Sequence, residues 1–219
     1  MKEKYTIFEN FKLLSVSQGL TGKMTGMPAI TSSMLCNENC QTLMQIKGSV
    51  CEKCYTKKYL SSRPSVDICY RENSDLLSSS IIPKNQLPFV NAAYCRLETF
   101  GDIINATHLQ NYVNLVKKNN HCIFSLFTKN YTVVFDYFKT HKQPSNLSIV
   151  ISSLMLNTPF EIERCLDIGL KNLKIFTVYT KNYAKTNGVV INCGKNRCID
   201  CRRCYKSNKT PIYVSEILK

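Results

Sequence analysis

Residues 122–152 read CIFSLFTKNYTVVFDYFKTHKQPSNLSIVIS, and this stretch predicts the fold. Its two ends, Cys122–Phe127 and Leu147–Ser152, are short apolar runs of the kind that form buried strands. Between them, Thr132–Thr140 carries apolar residues at the spacing of one helix face. A strand, a helix and a second strand at this spacing predict parallel pairing through a right-handed crossover.

The same alternation continues on both sides of this unit. Further strands are predicted at Phe89–Leu97, Leu173–Tyr179 and, more briefly, Val189–Asn192. A helix is predicted at Thr107–Asn119. Another begins at Thr158 and runs to Gly169, because a Thr N-cap, a Pro at the first helical position and a capping-box Glu follow one another there.

These units are too few for a complete eight-stranded barrel. We therefore expect one α/β domain over residues 1–219, built as a partial (β/α) barrel, that is a partial TIM barrel, or as an open parallel sheet. Residues 1–83 form a cysteine-bearing N-terminal region with its cysteines in a loop, 84–190 the β/α core, and 191–219 a basic, cysteine-rich C-terminal segment that binds metal. In either architecture the functional face lies at the carboxyl ends of the strands.

The composition narrows the class of protein further. The longest apolar runs are far shorter than the roughly 20 residues that span a bilayer, and no apolar stretch follows the first lysines. We therefore expect a soluble, cytoplasmic protein with no membrane partner. The chain has twelve cysteines, and a reducing compartment keeps thiols free, so clustered cysteines favour metal or iron–sulfur ligation over disulfides.

The chain is also strongly basic, with 29 Lys and Arg against 15 Asp and Glu and a net charge of +14. The excess is concentrated after residue 170, where eleven basic residues stand against two acidic ones. A basic surface of this size attracts polyanions, nucleic acid first. The alternative is that many of these lysines are only solvated surface.

The C-terminal cysteines form the sharpest motif, with the spacing C-x4-C-x2-C-x2-C. Its members are Cys193, Cys198, Cys201 and Cys204. The C-x2-C-x2-C core is typical of a ferredoxin-type [4Fe–4S] site, whereas zinc sites more often pair two separated C-x2-C knuckles. The motif therefore favours an iron–sulfur cluster over zinc.

A second group near the N-terminus has the spacing C-x3-C-x10-C-x2-C. It consists of Cys36, Cys40, Cys51 and Cys54. Two interpretations remain open here, a zinc knuckle that staples a long loop and a second iron–sulfur cluster, so the chain would hold one or two centres. A third possibility is that both cysteine groups share a single centre.

Four cysteines lie outside these groups. Cys95, Cys122 and Cys165 fall in predicted strands or on an apolar helix face, where free cysteine is usually part of the core. Cys69 is near enough in sequence to serve as a substitute ligand for the first group, but we do not count it among the expected ligands.

The strand that ends near Leu97 is followed by Glu98-Thr-Phe-Gly101-Asp102. The glycine allows close backbone approach, and the two carboxylates would face the rim of a site at the strand ends. An ordinary strand-to-loop turn explains the same residues. Two similar pentapeptides, Phe127–Tyr131 and Tyr179–Tyr183, end two predicted strands, which would place Thr128 and Thr180 on the same rim.

Taken in order along the chain, several of these motifs resemble the Gene 88 protein family of bacteriophages. They are Gly26-Met-Pro-Ala29, the N-terminal cysteine group with Tyr55, Arg96-Leu-x-x-x-Gly101-Asp102, Thr128-Lys129 and the four closing cysteines. The likeness extends from about residue 20 to the end of the chain. This resemblance implies that the protein is of phage origin and acts in the cytoplasm of a bacterial host. It implies no established biochemical activity.

A looser resemblance is to radical-SAM enzymes, which are partial or full (β/α) barrels. The N-terminal cysteines with Tyr55 resemble the C-x3-C-x2-C-aromatic signature split by ten inserted residues, and Phe100-Gly101-Asp102 stands where a Gly-Gly-Glu motif would be. That resemblance implies S-adenosylmethionine as a further cofactor only if one iron atom of the cluster has no cysteine ligand. If all four cysteines bind the cluster, no iron atom has a free coordination position.

Two functions follow as expectations. The first is a phage-type iron–sulfur protein of radical-SAM-like architecture that acts on nucleotides or nucleic acid. Its substrate or cofactor would be bound at the strand ends by Arg96, Glu98, Gly101, Asp102, Thr128 and Thr180. The second is a non-catalytic nucleic-acid-binding protein, stapled by zinc or a cluster, whose basic C-terminal segment contacts phosphates.

Overall fold

The computed structural model describes residues 13–18, 21–161, 163, 169–208 and 212–218. Six strands in this part of the chain form one sheet in which every neighbouring pair is parallel and the order follows the sequence. They are β1 (Ala29–Ile30), β2 (Tyr94–Leu97), β3 (Ile123–Thr128), β4 (Leu147–Ser152), β5 (Leu173–Tyr179) and β6 (Ile212–Ile217). The architecture is therefore α/β with an open parallel sheet, one of the two expected forms.

The helices form the second layer. They are α1 (Glu38–Leu43), α2 (Tyr55–Ser61), α3 (Pro64–Ser79), α4 (Ala106–Lys118), α5 (Tyr131–Phe138), α6 (Lys181–Thr186) and α7 (Cys198–Cys201). The described helices include none that is long and apolar enough to cross a membrane. Because the strand order is sequential and crossovers are right-handed, successive crossovers carry their helices to the same face of the sheet.

The main core lies between that face and the helices. Alternate strand residues such as Leu97, Phe124 and Ile149 are fully buried in it, together with Leu109 and Val113 of α4. The other strand residues point to the opposite face, which we call the inner face. Its members are Arg96, Ser125, Phe127, Val150, Lys174 and Phe176.

Several predicted elements agree closely with the structure. The strands at 147–152 and 173–179 have the predicted bounds. The strand predicted at 122–127 is shifted by one residue and is β3, Ile123–Thr128. The helix predicted at 107–119 is α4, and that at 132–140 is α5. The helix predicted from Thr158 to Gly169 falls largely on residues outside those described.

The prediction of a short strand at 189–192 is wrong. The end of this segment meets β6, where the amides of Asn192 and Cys193 both donate to the carbonyl of Ser215 (3.1 and 3.0 Å). The Asn192 side chain accepts from the Ser215 amide (3.1 Å), so side-chain bonds replace a strand ladder. The segment thereby covers the outer edge of the sheet, a common protection of edge strands.

The N-terminal region is more helical than expected. The cysteines predicted to lie in a loop are partly carried by α1, and two further helices, α2 and α3, follow them. The sequence analysis also missed β1 and β6. With only two residues, β1 is too short to show the alternation of apolar and polar residues that is typical of a strand. Residues 212–217 directly follow the cysteine-rich segment, which makes the start of a strand pattern hard to recognise there.

Candidate metal centres at both ends of the chain

The C-terminal cysteines lie on a segment that folds across the inner face. Cys198 and Cys201 begin and end α7, and Arg202 then adopts a left-handed conformation (φ 53°) that turns the chain. The buried Tyr205 donates its hydroxyl to the sulfur of Met27 (2.8 Å) and packs in a small apolar cluster with the first residues of β2 and β3. This anchoring holds the cysteines over the sheet.

The four C-terminal thiols lie within electrostatic reach of one another. Burial raises the pKa of Cys204 to about 12; Arg96 acts to lower it, and the thiols of Cys193, Cys198 and Cys201 raise it further. Burial also raises the pKa of Cys193 and of Cys198, against the nearby Lys23, which lowers both. The four thiols therefore form one electrostatically coupled group in the C-terminal segment.

Two cations stand beside this group. The Lys23 amine lies 2.5 Å from Glu216 Oε1 and 4.0 Å from Cys193 Sγ. The Arg96 guanidinium lies over the Phe127 ring, 3.4 Å from its centre, and its Nε donates to the Glu98 carbonyl (3.2 Å). Cations next to thiols favour the thiolate, which is the form that binds metals.

A buried lysine fastens the same segment to the sheet. Lys174 on β5 is fully buried, and its amine donates to the carbonyls of Asn172 (3.1 Å) and Lys206 (2.7 Å). Burial lowers the pKa of this lysine to about 8, while the neighbouring Cys204 acts to raise it. The lysine thus joins the C-terminal segment to the start of a central strand.

The donor set suits a metal, although the sulfur atoms are not gathered around one point. Within the described ranges, no three or more Cys, His, Asp or Glu side chains are arranged to hold an ion. Four partly buried thiols with adjacent cations fit the chemistry of an iron–sulfur cluster or of zinc. Binding would draw the segment around the metal, as metal-coupled folding does elsewhere.

The N-terminal cysteines lie at the carboxyl ends of the first strands. Asn37 is fully buried, donates to the Asp102 carbonyl (2.8 Å) and accepts from the Cys40 amide (3.3 Å), which caps α1. Cys51 and Cys54 form a turn closed by the bond from the Cys54 amide to the Cys51 carbonyl (3.1 Å). The capping contact therefore ties the cysteine-bearing helix to the end of β2.

The ten residues between Cys40 and Cys51 reach across the same edge of the sheet. The Val50 amide donates to the Leu154 carbonyl (2.9 Å), and the Leu156 amide donates to the Gly48 carbonyl (3.3 Å). Gly48 has a φ of 75° at this contact. The insertion thus connects the cysteine group with the loop that follows β4.

Electrostatic contacts link only part of this group. Burial raises the pKa of Cys40, and Asp102, Glu98 and Cys51 raise it further. Burial likewise raises the pKa of Cys51, against Lys129, which lowers it. Cys36 differs, because it is exposed and interacts electrostatically with Arg71.

The two groups have different surroundings. Among the strongest electrostatic neighbours of the N-terminal thiols are Asp102 and Lys129, and among those of the C-terminal thiols are Lys23, Arg96 and Glu216. No charged side chain is shared between these sets. The arrangement favours two centres over a single shared one.

The predicted substrate residues at the end of β2 form a buried network. Asp102 is only 4% exposed and accepts from Thr128 Oγ1 (2.5 Å), the Lys129 amide (2.8 Å) and the Ile103 amide (2.8 Å). Burial raises the pKa of its carboxyl, while the bonds from Thr128 and Lys129 lower it. Its carboxylate therefore joins the ends of β2 and β3.

Glu98 joins β1 to β2 in the same way. It is 2% exposed and accepts from Tyr112 (2.6 Å) and from the amide and hydroxyl of Ser32 (3.2 and 3.0 Å). His108 Nε2 lies 3.2 Å from Oε1, a close contact outside good hydrogen-bond alignment. Burial would raise the pKa of Glu98, but His108, Tyr112 and Ser32 outweigh it and hold the pKa below its ordinary value.

Gly101 is required by the close approach that the sequence analysis expected. A β-carbon at this position would meet the Ser32 hydroxyl, the Ser32 carbonyl oxygen (2.5 Å) and Glu98 Oε2 (2.8 Å). Thr180, the remaining predicted residue at the strand ends, is partly buried and caps α6 through the Tyr183 amide. That these residues bind a substrate remains a prediction.

Four cysteines lie outside the two groups, and three charged residues near the C-terminal group were not predicted. Cys95 and Cys122 are buried in the core, Cys69 packs partly buried beside α2, and Cys165 lies outside the described residues. The sequence analysis did not single out Lys23, Lys174 or Glu216. They are distant in sequence from the C-terminal cysteines, so no local motif reveals them.

Comparison with known proteins gives one match. A family model described as Gene product 88 matches residues 8–213, which confirms the resemblance to the Gene 88 family of bacteriophages. No curated protein and no solved structure matches the chain. The comparisons therefore lend no support to the radical-SAM resemblance.

Proposed function

We propose, from the premise that the chain belongs to the Gene product 88 family, that it is an iron–sulfur protein whose C-terminal cysteines hold a cluster over the inner face of the sheet. The observation that carries the proposal is a segment anchored by Tyr205 and by Lys174 that bears four partly buried thiols, with the Lys23 amine 4.0 Å from Cys193 Sγ. Clustered thiols that stay reduced are typical of metal ligation.

The chain's own residues have distinct roles in this proposal. Cys193, Cys198, Cys201 and Cys204 supply the ligands. Lys23 and Arg96 favour their thiolate forms and offset the negative charge that four thiolates bring. When bound, a cysteine-ligated cluster supplies one-electron transfer.

The N-terminal thiols form the second centre of the proposal. Cys40 and Cys51 lie within reach of Asp102 and Lys129 at the carboxyl ends of β2 and β3. In open parallel sheets this edge is where ligands bind. A reaction on a nucleotide would be placed here, next to the network of Glu98 and Asp102.

Anaerobic purification with iron, sulfide and zinc analysis tests the proposal. The expected result is iron and acid-labile sulfide in similar amounts and a broad absorption band at roughly 400 nm, where such clusters absorb. Cys198→Ser should lower the iron content. Cys122→Ser, which changes a buried core cysteine, is the matched control and should retain it. A protein that contains zinc and no iron would instead favour the alternative, a non-catalytic nucleic-acid-binding protein whose loops are held by zinc.

A nucleic-acid-binding function is the second candidate, supported by a specific feature of the surface. Lys195, Arg197, Arg202 and Lys206 are all exposed around the C-terminal cysteines, although Arg197 forms an ion pair with Asp200 (2.8 Å). Phosphate contacts make affinity fall steeply with salt. If short DNA and RNA failed to bind even in low salt, this candidate would be wrong.

A further inference from the structure

A surface groove runs between α1 and α2, directly beside the N-terminal cysteines. It has a volume of about 460 Å³. Gln41, Met44 and Gln45 line one side, and the other side is lined by Glu52, Lys53, Cys54, Lys57, Lys58 and Ser61. We call it the α1–α2 groove. The side chain of Cys54 is part of its lining, so the groove reaches one of the proposed metal ligands from outside.

The charge of the groove is positive. Lys53, Lys57 and Lys58 line it, and all three are exposed. None of them forms an ion pair within the described part of the chain. Glu52 also lines the groove, but its carboxylate accepts from the Gly48 amide (2.8 Å) and so holds the neighbouring loop.

One apolar side chain, that of Met44, lies among these lysines in the lining. Two exposed apolar residues, Tyr55 (68%) and Ile46 (36%), are next in sequence to lining residues. Protein interfaces combine aromatic residues and Met in their centre with a charged rim. A small patch of this composition suits a weak, electrostatically guided encounter, which is typical of redox partners.

We propose that the α1–α2 groove docks an acidic electron-carrier protein that delivers electrons to the N-terminal centre through the side of Cys54. The inference rests on the proposed function, because the electron needs a cluster to receive it. Charge complementarity selects the occupant, since three lysines without acidic partners favour a carrier of strongly negative charge. Nucleic acid is the competing polyanion, and the experiment distinguishes the two.

The transfer itself is simple to balance. One electron leaves a reduced [2Fe–2S] carrier, which is oxidised, and enters the cluster of this protein, which is reduced by one electron. No covalent bond forms or breaks and no proton is transferred. The carrier then dissociates in its oxidised form.

The test uses the full-length, anaerobically purified protein and an acidic [2Fe–2S] ferredoxin as the probe. The groove variant is Lys53→Glu/Lys57→Glu/Lys58→Glu. A control with the same change of charge is Lys117→Glu/Lys142→Glu/Lys171→Glu. These exposed lysines lie in the last turn of α4, after α5 and before β5, at the amino ends of the strands. Loss of electrostatic guidance should lower the rate of cluster reduction by the ferredoxin about tenfold or more in the groove variant alone.

Reduction by dithionite, which needs no docking, should be equal in all three proteins. Binding of the ferredoxin in low salt is measured separately by titration calorimetry, which does not depend on a cluster. A protein without iron would contradict the proposed function. The calorimetric measurement would still show whether the ferredoxin binds in the α1–α2 groove. Equal binding by the groove variant and its control would overturn the inference. So would a groove variant that loses affinity for a 20-nucleotide single strand while it keeps affinity for the ferredoxin.

Discussion

The motif Glu98-Thr-Phe-Gly101-Asp102 follows β2, and the contacts of its individual residues explain its spacing. Glu98 reaches back to Ser32 and Tyr112, Asp102 reaches forward to Thr128, and Gly101 lets the chain pass Ser32 between them. Both carboxylates are buried and accept several hydrogen bonds. Their first effect is therefore to hold the strand ends, and with them the N-terminal cysteines, in place.

Gly101→Ala tests the close approach. The added carbon would lie within 2.5 Å of a backbone oxygen, which has little freedom to move away. We expect a loss of about 2 kcal/mol in the free energy of unfolding, the usual effect of overpacking, measured by urea denaturation. The double variant with Ser32→Ala removes the hydroxyl but not the carbonyl, so it should recover only part of the loss. Unchanged stability in Gly101→Ala would show that the backbone relaxes there.

Glu98 predicts a dependence of stability on pH. Its pKa is lower in the folded protein than in the unfolded chain, so its contribution is complete above the unfolded pKa. As pH falls, the unfolded chain binds the proton first, and stability is lost down to the folded pKa. Asp102 acts with the opposite sign because its folded pKa is raised.

The measurement is a series of urea denaturations between pH 6 and about pH 3. Glu98→Gln should be less stable than the unmodified protein at pH 6, and the difference should shrink as the pH falls. A difference that stays constant over this range would mean that the pKa of Glu98 is the same in the folded and the unfolded protein.

At the scale of elements, the outer edge of β6 is held by a segment that carries a cysteine. Asn192 accepts from the Ser215 amide (3.1 Å) and donates to the Tyr213 carbonyl (3.2 Å), and Cys193 follows it directly. The same contacts that protect the edge also position Cys193, the first of the proposed C-terminal ligands. If this cysteine binds a metal as proposed, strand protection and metal binding are coupled in this part of the fold.

Asn192→Ala should therefore weaken both. The loss of one partly buried and one exposed hydrogen bond predicts about 1 kcal/mol less stability. The uncovered edge should raise light scattering on mild heating, since open strand edges pair with other chains. Asn187→Ala, which removes a bond within one helix end, is the control. An Asn192→Ala protein with normal scattering and stability would mean that backbone bonds alone cover the edge.

At the scale of the whole molecule, the cysteines lie in two regions with different charged neighbours. This arrangement predicts that the centres are independent. Serine at Cys193, Cys198, Cys201 and Cys204 together should remove about half of the bound iron, if both sites bind like clusters, and serine at Cys40, Cys51 and Cys54 should remove the rest. Iron and sulfide are measured per chain in each variant. If either set of changes removed all of the iron, the two groups would share one centre.

Much of the fold was predictable from the sequence because the central units carry strong local signals. The strands at 147–152 and 173–179 are apolar runs, and α4 shows a clear helical period. The strand predicted at 189–192 was wrong because an apolar run of this length also suits a segment that packs beside a strand. Its state depends on Ser215, more than twenty residues away.

The candidate site was predictable only in part. The eight cysteines stand out by spacing, and the Glu98–Asp102 motif stands out as the end of a strand. The partners that surround them, Lys23, Lys174 and Glu216, come from distant elements and follow no local pattern.

The sequence by itself determined the α/β class, most of the central strands and helices, and the cysteine spacing, because hydrophobic period and local spacing are encoded over a few residues. Tertiary structure decided which carboxylates are buried, which cations face the thiols and that the two cysteine groups lie apart. These properties depend on contacts between residues far apart in the chain, such as Lys23 with Glu216, and only the packed sheet brings them together.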